Sequence, residues 1–333
     1  MNYIGSKYSL LSFLEDGIRQ TIGGDVTGLI LCDLFGGTGA VSRFFKEKGN
    51  KIIANDWEYY SYVLLRNYIG NHTAITSSEE RIQELNELPG VTDGFIYNNY
   101  CLGGSGFRQY FSDENGQKID AIRRKIEEWR NIGEIGENGY YFLLCSLLEA
   151  ADKVANTASV YGAYLKKLKK SAQKALEIVP ADFWVNDIEH EVYQEDANTL
   201  IRRINGDILY LDPPYNTRQY GANYHLLNTI ALYETFEPSG KTGLPDYKRS
   251  KYSIRKTVKD EFEDIIKNAR FKYIFLSYNN EGIMSFSDIA SIMHRYGDYS
   301  VIAQEYQRFK ADRDENRVHK SDKTVEYLHI LSK

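Results

Sequence analysis

The chain has 333 residues, 42% apolar and 26% charged, with a formal net charge of −5. This balance excludes intrinsic disorder, collagen and coiled coil as global descriptions, and no run of apolar residues is long enough to span a membrane as a helix. The length suits one large α/β domain with an insertion, or two domains, and so acidic a chain can meet nucleic acid only through a locally basic face.

The first residues carry Lys7, Glu15 and Asp16 and no long apolar stretch, so no secretory leader is expected. Residues 27–34 read as a buried strand running into Phe35-Gly36-Gly37-Thr38-Gly39. A helix follows over 40–48, with Gly49 at its stop position. A short strand over 51–55 ends at Asp56, and a Tyr- and Leu-rich helix covers about 58–69. This is a strand–loop–helix–strand unit, the start of a doubly wound sheet. From about 79 to 180 the apolar spacing turns helical: 79–88, 119–132, 140–155 and a basic segment over 161–176, with a polar, Gly-rich stretch at 98–117. The sheet pattern resumes with strands at 191–194, ending at Asp196, at 207–211, ending at Asp212, and at 271–276, ending near Asn279. Two alternating segments, 299–309 and 324–331, fit a terminal antiparallel pair. The expected fold is therefore a Rossmann-like α/β sheet with a terminal antiparallel hairpin. Residues 1–78 and 190–333 form its discontinuous catalytic domain, and 79–189 form a mostly helical insertion.

Cys32, Cys101 and Cys145 lie far apart and form no CxxC pair, which fits a reduced, cytoplasmic compartment. The six histidines are scattered, and no His/Cys cluster has metal-ligand spacing, so no metal is expected.

The glycine loop DLFGGTGAVS reads G-x-G-x-x-S from Gly37 and lacks the third glycine of the dinucleotide fingerprint. Such a loop lets backbone approach a ligand closely, and Asp56, at the end of the second strand, can accept from ribose hydroxyls. Together they indicate an adenosine-containing cofactor, with NAD and S-adenosylmethionine both open. Asp212-Pro213-Pro214-Tyr215, directly after the strand Ile208-Leu209-Tyr210-Leu211, is more specific. Two prolines stiffen the backbone and remove two N–H donors. The carboxylate and a proline carbonyl can accept both hydrogens of an exocyclic amine, while the aromatic ring stacks on the base.

With these residues in place the sequence resembles the Dam-like, D12-class DNA adenine-N6 methyltransferases, and most nearly the FokI- and NlaIII-type modification enzymes, over nearly the whole chain. Asn2-Tyr3-Ile4-Gly5-Ser6-Lys7 is similar to that family's N-terminal segment, with Tyr3 for Trp and Ser6 for Gly. Residues 33–39 match its cofactor motif, Asn55-Asp56 its ribose acid and Asp212 to Tyr215 its catalytic motif. Arg108-Gln109-Tyr110-Phe111-Ser112 and residues 147–172 look like the FokI- and NlaIII-type insertion.

The resemblance implies S-adenosylmethionine as cofactor. Tyr3 and Lys7 would lie at its methionine end, Phe35, Gly36, Gly37 and Gly39 would form the floor, and Asp33 would fix the loop or meet the amino group. Asp56 would hold the ribose, and Asp196 would meet the adenine amine or cap a helix. It implies a flipped-out adenine stacked on Tyr215, with N6 bonded to Asp212 and the Pro213 carbonyl. Other amines (RNA adenine, cytosine N4, a protein amide) and a non-catalytic DNA-binding regulator remain as alternatives. An NAD dehydrogenase leaves the prolines unexplained.

Two basic clusters are candidates for double-stranded DNA. One contains Lys166, Lys167, Lys169, Lys170 and Lys174 on an expected helix, where Lys166, Lys170 and Lys174 would share a face. The other contains Arg249, Lys251 and Arg255 in a loop with Tyr247 and Tyr252 among the charges. A solvated face is the plain reading of each. No nuclease pattern stands out, so a cognate restriction endonuclease would be a separate chain. A monomer or weak dimer is expected, and the NlaIII likeness suggests a short site such as CATG.

Overall fold

A computed structural model describes residues 7–307 and 323–333, which leaves Tyr3 outside. The chain divides into two compact units. Among the described residues, the first holds 7–57, Ile188–Gln219, 249–307 and 323–333, and the second Glu58–Asp187 and Tyr220–Lys248.

The first unit is built on a seven-stranded sheet. Its strands are β1 (Ile30–Asp33), β2 (Lys51–Asn55), β3 (Glu191–Tyr193), β4 (Asn205–Leu211), β5 (Arg270–Asn279), β6 (Asp298–Gln307) and β7 (Lys323–Ser332), in the order β3-β2-β1-β4-β5-β7-β6. The first five run parallel, while β7 is antiparallel to both β5 and β6, between which it lies. The expected terminal hairpin is thus present.

The central strands are apolar on both sides because helices cover both faces. Register places Asp33, Tyr210, Phe275 and Ile330 in one row. On that face the helix Leu11–Ile22 comes close through Gly17, where an added Cβ would fall 2.6 Å from the Ile302 side chain and 2.8 Å from that of Leu328. The alternate residues Cys32, Leu209, Ile274 and Leu331 are buried with Phe262, Ile265 and Ile266 of the helix Val258–Asn268 and with Ile289, Ile292 and Met293 of the helix Phe286–Met293. The chain leaves β1 toward β2 on one side, while β4 takes up the other edge. This reversal opens a crevice beyond the carboxyl ends of β1 and β4, the standard ligand position of open α/β sheets.

The second unit is helical. Its main helices are Tyr59–Leu65, Ser78–Glu87, Phe95–Tyr100, Asp113–Asn131, Glu137–Val154 and His225–Leu232, with a π-turn at Arg66–Gly70. Glu137–Val154 is buried almost all round, as its apolar sequence requires. Its first segment ends at Asp187, short of the expected 189, and the unit includes the helices at Tyr59–Leu65 and His225–Leu232, outside the expected 79–189.

The helix expected over 161–176 is absent: residues 155–180 form turns and irregular chain. Buried asparagines hold this segment instead. Asn156 Nδ2 donates to the carbonyls of Gln109 and Leu165, each at 2.9 Å, and its Oδ1 accepts from Lys169 N at 3.0 Å. Asn115 Nδ2 donates to Lys174 O at 2.9 Å, and its Oδ1 accepts from Leu176 N at 2.8 Å. Lysines four apart repel on a helix, and these side-chain bonds give the backbone partners elsewhere.

Candidate active site

The loop after β1 folds back on the sheet. Gly36 N donates to Asn55 O at 2.8 Å, and Gly39 N to Gly36 O at 2.7 Å. Gly37 (φ 53°) and Gly39 (φ 77°) take the left-handed conformation that a side chain disfavours, and Gly39 caps the helix Ala40–Glu47. Gly37 N donates to Asp56 Oδ2 at 2.8 Å, so the acid ending β2 fastens the loop. Phe35, half-buried, stands edge-on to Tyr252 at 5.0 Å. Asp33 is buried. Its Oδ2 accepts from Ser42 Oγ at 2.7 Å, and its Oδ1 has no hydrogen-bond partner among the described residues. Burial pushes the Asp33 carboxyl up to about 7; Ser42 opposes this, and the charges of Asp212 and Asp56 add to it.

β4 delivers Asp212-Pro213-Pro214-Tyr215 to the other side of the crevice. Ile283 N donates to Tyr215 O at 3.0 Å, and the Tyr215 ring meets Tyr278 edge-on at 6.5 Å. Lys7 Nζ lies 3.2 Å from Asp212 Oδ1, 2.9 Å from Glu326 Oε1 and 5.7 Å from the centre of the Tyr215 ring. Glu326, on β7, is fully buried and also accepts from Ser277 Oγ of β5. Burial pushes the Asp212 carboxyl up to about 6; Lys7 pulls against this and Glu326 adds to it. Burial alone would lower Lys7, but Asp212 and Glu326 together hold its ammonium well above the ordinary range. A lysine expected at the methionine end of the cofactor thus has its ammonium between two protein carboxylates.

Asp196 caps the short helix Ala197–Leu200, with Oδ1 accepting from Thr199 N at 3.0 Å, the second of the roles open to it. Asn279 Oδ1 accepts from Glu281 N at 3.0 Å and so shapes a turn. Lys166, Lys167 and Lys170 are exposed on the irregular segment of the helical unit. In the sheet unit Arg249 and Arg255 are exposed, and Lys251 pairs with Glu261 at 2.7 Å. No group of His, Cys, Asp and Glu that could hold a metal occurs among the described residues. Sequence reasoning missed Glu326 and Ser277. Glu326 shares the parity of Leu328 and Ile330, so an acid at an inward strand position was the signal.

A switch-point crevice with a glycine loop on one strand and an acid–proline–proline–tyrosine segment on the next defines an amine-methylating enzyme of the adenosine-cofactor class. Residues 3–292 match the family model of the D12 class N6 adenine-specific DNA methyltransferases. Type II methyltransferase M.NlaIII of Neisseria lactamica is 59% identical over 100% of this chain and 99% of its own length. Type II methyltransferase M.CviAII of Paramecium bursaria Chlorella virus 1 is 36% identical over 93% of each chain. Type II methyltransferase M.FokI of Planomicrobium okeanokoites is 36% identical over 100% of this chain, which spans 53% of that relative. The chain belongs to the D12 class of N6 adenine-specific DNA methyltransferases.

Proposed function

We propose that this protein methylates N6 of an adenine flipped out of a specific duplex DNA sequence, with S-adenosylmethionine as donor. The observation that carries the reading is the position of Asp212 to Tyr215 at the carboxyl end of β4, beside the glycine loop of β1. The residues around that loop suit the cofactor. Asp33 Oδ1 is a buried acceptor without a hydrogen-bond partner among the described residues, and the backbone at Gly37 and Gly39 leaves room for close approach. Phe35, Gly36, Gly37 and Gly39 would floor the site, Asp33 would meet the amino group, and Asp56 would take the ribose. The bound cofactor supplies an electrophilic methyl group on a sulfonium.

The protein's own work is on the adenine. Tyr215 stacks on the flipped base, and Asp212 and the Pro213 carbonyl accept the two N6 hydrogens. Those bonds draw the nitrogen toward tetrahedral geometry and free its lone pair. Positive charge then grows on N6, and an ionised Asp212 stabilises charge that exists only in the transition state. The methylated nitrogen is acidic enough to lose its proton without a strong base waiting for it.

Lys166, Lys167 and Lys170 in one unit and Arg249, Lys251 and Arg255 in the other would neutralise phosphates. The enzyme would act as a monomer or weak dimer in a reducing cytoplasm, consistent with three free, buried cysteines. Any cognate endonuclease would be a separate chain, and the target a short site such as CATG. Incubation of purified protein with methyl-labelled cofactor and duplex DNA, followed by nucleoside analysis, is expected to give N6-methyladenine; label in cytosine, or in RNA alone, refutes the reading. Methylome sequencing of expressing cells then reads the recognition site.

A further inference from the structure

The proposed chemistry asks one carboxylate, Asp212, to meet a growing positive charge, yet the structure sets a lysine ammonium 3.2 Å from it. An isolated Lys7–Asp212 pair would be neutral and would have little negative potential left for the substrate nitrogen. Glu326 changes that balance. It is fully buried on β7, receives the Ser277 hydroxyl, and lies 2.9 Å from the same ammonium. Two carboxylates around one ammonium leave a net charge of −1 in a site of low polarity, where such a charge acts strongly. A buried carboxylate is costly to keep without partners or a use.

We infer that Glu326 is a positioning residue for methyl transfer: it binds the Lys7 ammonium from behind, so that the ammonium does not cancel the negative potential of ionised Asp212 and Asp212 keeps its orientation for the substrate amine. The inference rests on the assignment of Asp212 as the group that contacts N6. Among the described residues, the groups around the Lys7–Asp212–Glu326 cluster include Asp33 on β1, Tyr210 on β4, Tyr215 after it, Ser277 on β5 and, paired across the strands with Glu326, Asn279 on β5 and Gln304 on β6. Ser277 locks the outer carboxylate, and Lys7 couples it to the inner one. Glu326 itself touches neither substrate nor cofactor.

Glu326→Gln keeps the shape and removes the charge. Turnover on duplex DNA is expected to fall about tenfold or more, the scale of weakening one preorganised electrostatic partner, while KM for DNA and Kd for S-adenosylmethionine stay within about twofold. The acid limb of the kcat profile is expected to move to lower pH, because a neighbouring anion that raised Asp212 is gone; a merely structural role would lower activity without that displacement. Ser277→Ala, which keeps every charge, is expected to give a smaller loss in the same direction and remains informative should Glu326→Gln fold poorly. Asp212→Ala serves as the reference. If it abolishes turnover while Glu326→Gln and Ser277→Ala keep the parent's kcat and acid limb, Glu326 is structural and the inference falls. If Asp212→Ala itself retains normal turnover, the underlying assignment falls instead.

Discussion

Asp212 is held in a state that pH can reverse. Burial brings its carboxyl up to about 6, and Asp33 next to it lies at about 7. Ionised Asp212 is the working form, so kcat/KM is expected to rise with pH across roughly pH 6 to 7 and then level off. Asp33 titrates above Asp212 and is still mostly protonated while Asp212 ionises, so Asp33→Asn is expected to leave the acid limb in place in a methylation assay; a clearly displaced limb would make Asp33 an anion already present when Asp212 ionises. The same two groups act on stability with the opposite sign. Their folded values lie above the ordinary carboxylate value of about 4, so the native state takes up protons more readily than the unfolded chain. Their contribution to stability is therefore full at acid pH and declines as pH rises toward 7. Urea unfolding at pH 5 and pH 8, compared between parent and Asp33→Asn, checks it: the decline is expected to be shallower in the variant. At this scale the sequence was informative wherever a motif carried the chemistry. Asp33 ends β1, Asp56 and Asp212 directly follow β2 and β4, and Tyr215 comes shortly after, so the sequence could place them at the carboxyl ends of the strands. Glu326 could not be placed in this way, because its partner Lys7 is brought to it only by the completed sheet.

The loop after β1 is tied by hydrogen bonds to the end of β2. Asp56 accepts from the Gly37 amide, which makes the acid at the end of β2 a fastener of the loop after β1. Asp56→Ala is expected to weaken S-adenosylmethionine binding by about 1–3 kcal/mol, through loss of a charged partner and loosening of the loop. Calorimetry with unchanged affinity would place the ribose contact elsewhere. The lysine-bearing segment of the helical unit depends in the same way on Asn156, whose side chain serves two carbonyls and one amide. Asn156→Ala leaves those three backbone groups without their partner. It is expected to cost about 2–3 kcal/mol of stability, measured by chemical denaturation. Here sequence reading went astray: Tyr161 to Leu176 has helical spacing and high lysine content, but spacing reports nothing about asparagines waiting elsewhere in the fold. The β-loop-α units were legible because glycine, strand and helix signals agreed in order.

A chain of net charge −5 must gather its cations to approach a duplex. Lys166, Lys167 and Lys170 are exposed and share no helix face, so they would meet phosphates as points along a loop. Replacing all three by Gln is expected to weaken DNA binding and to flatten its salt dependence, by about 0.9 in log–log slope for each phosphate that is no longer neutralised. Cofactor affinity is expected to stay the same. Parent affinity together with the parent slope would leave these lysines as a solvated face. The helical unit begins at Glu58, ahead of the change of apolar period near residue 79. The assignment of Tyr59–Leu65 and His225–Leu232 to the helical unit was not legible, since each follows a strand of the sheet in sequence. One property belongs only to the complete chain. Lys7 and Glu326 meet across 319 positions, one ahead of the first helix and the other on a strand inserted antiparallel between two neighbours. During synthesis all five parallel strands and the whole Asp212 segment emerge while the acid cluster is still open. An interrupted or clipped translation product that stops short of residue 326 would carry the recognisable motifs and lack the finished charge arrangement, so its methylating capacity would be lower than that of finished molecules.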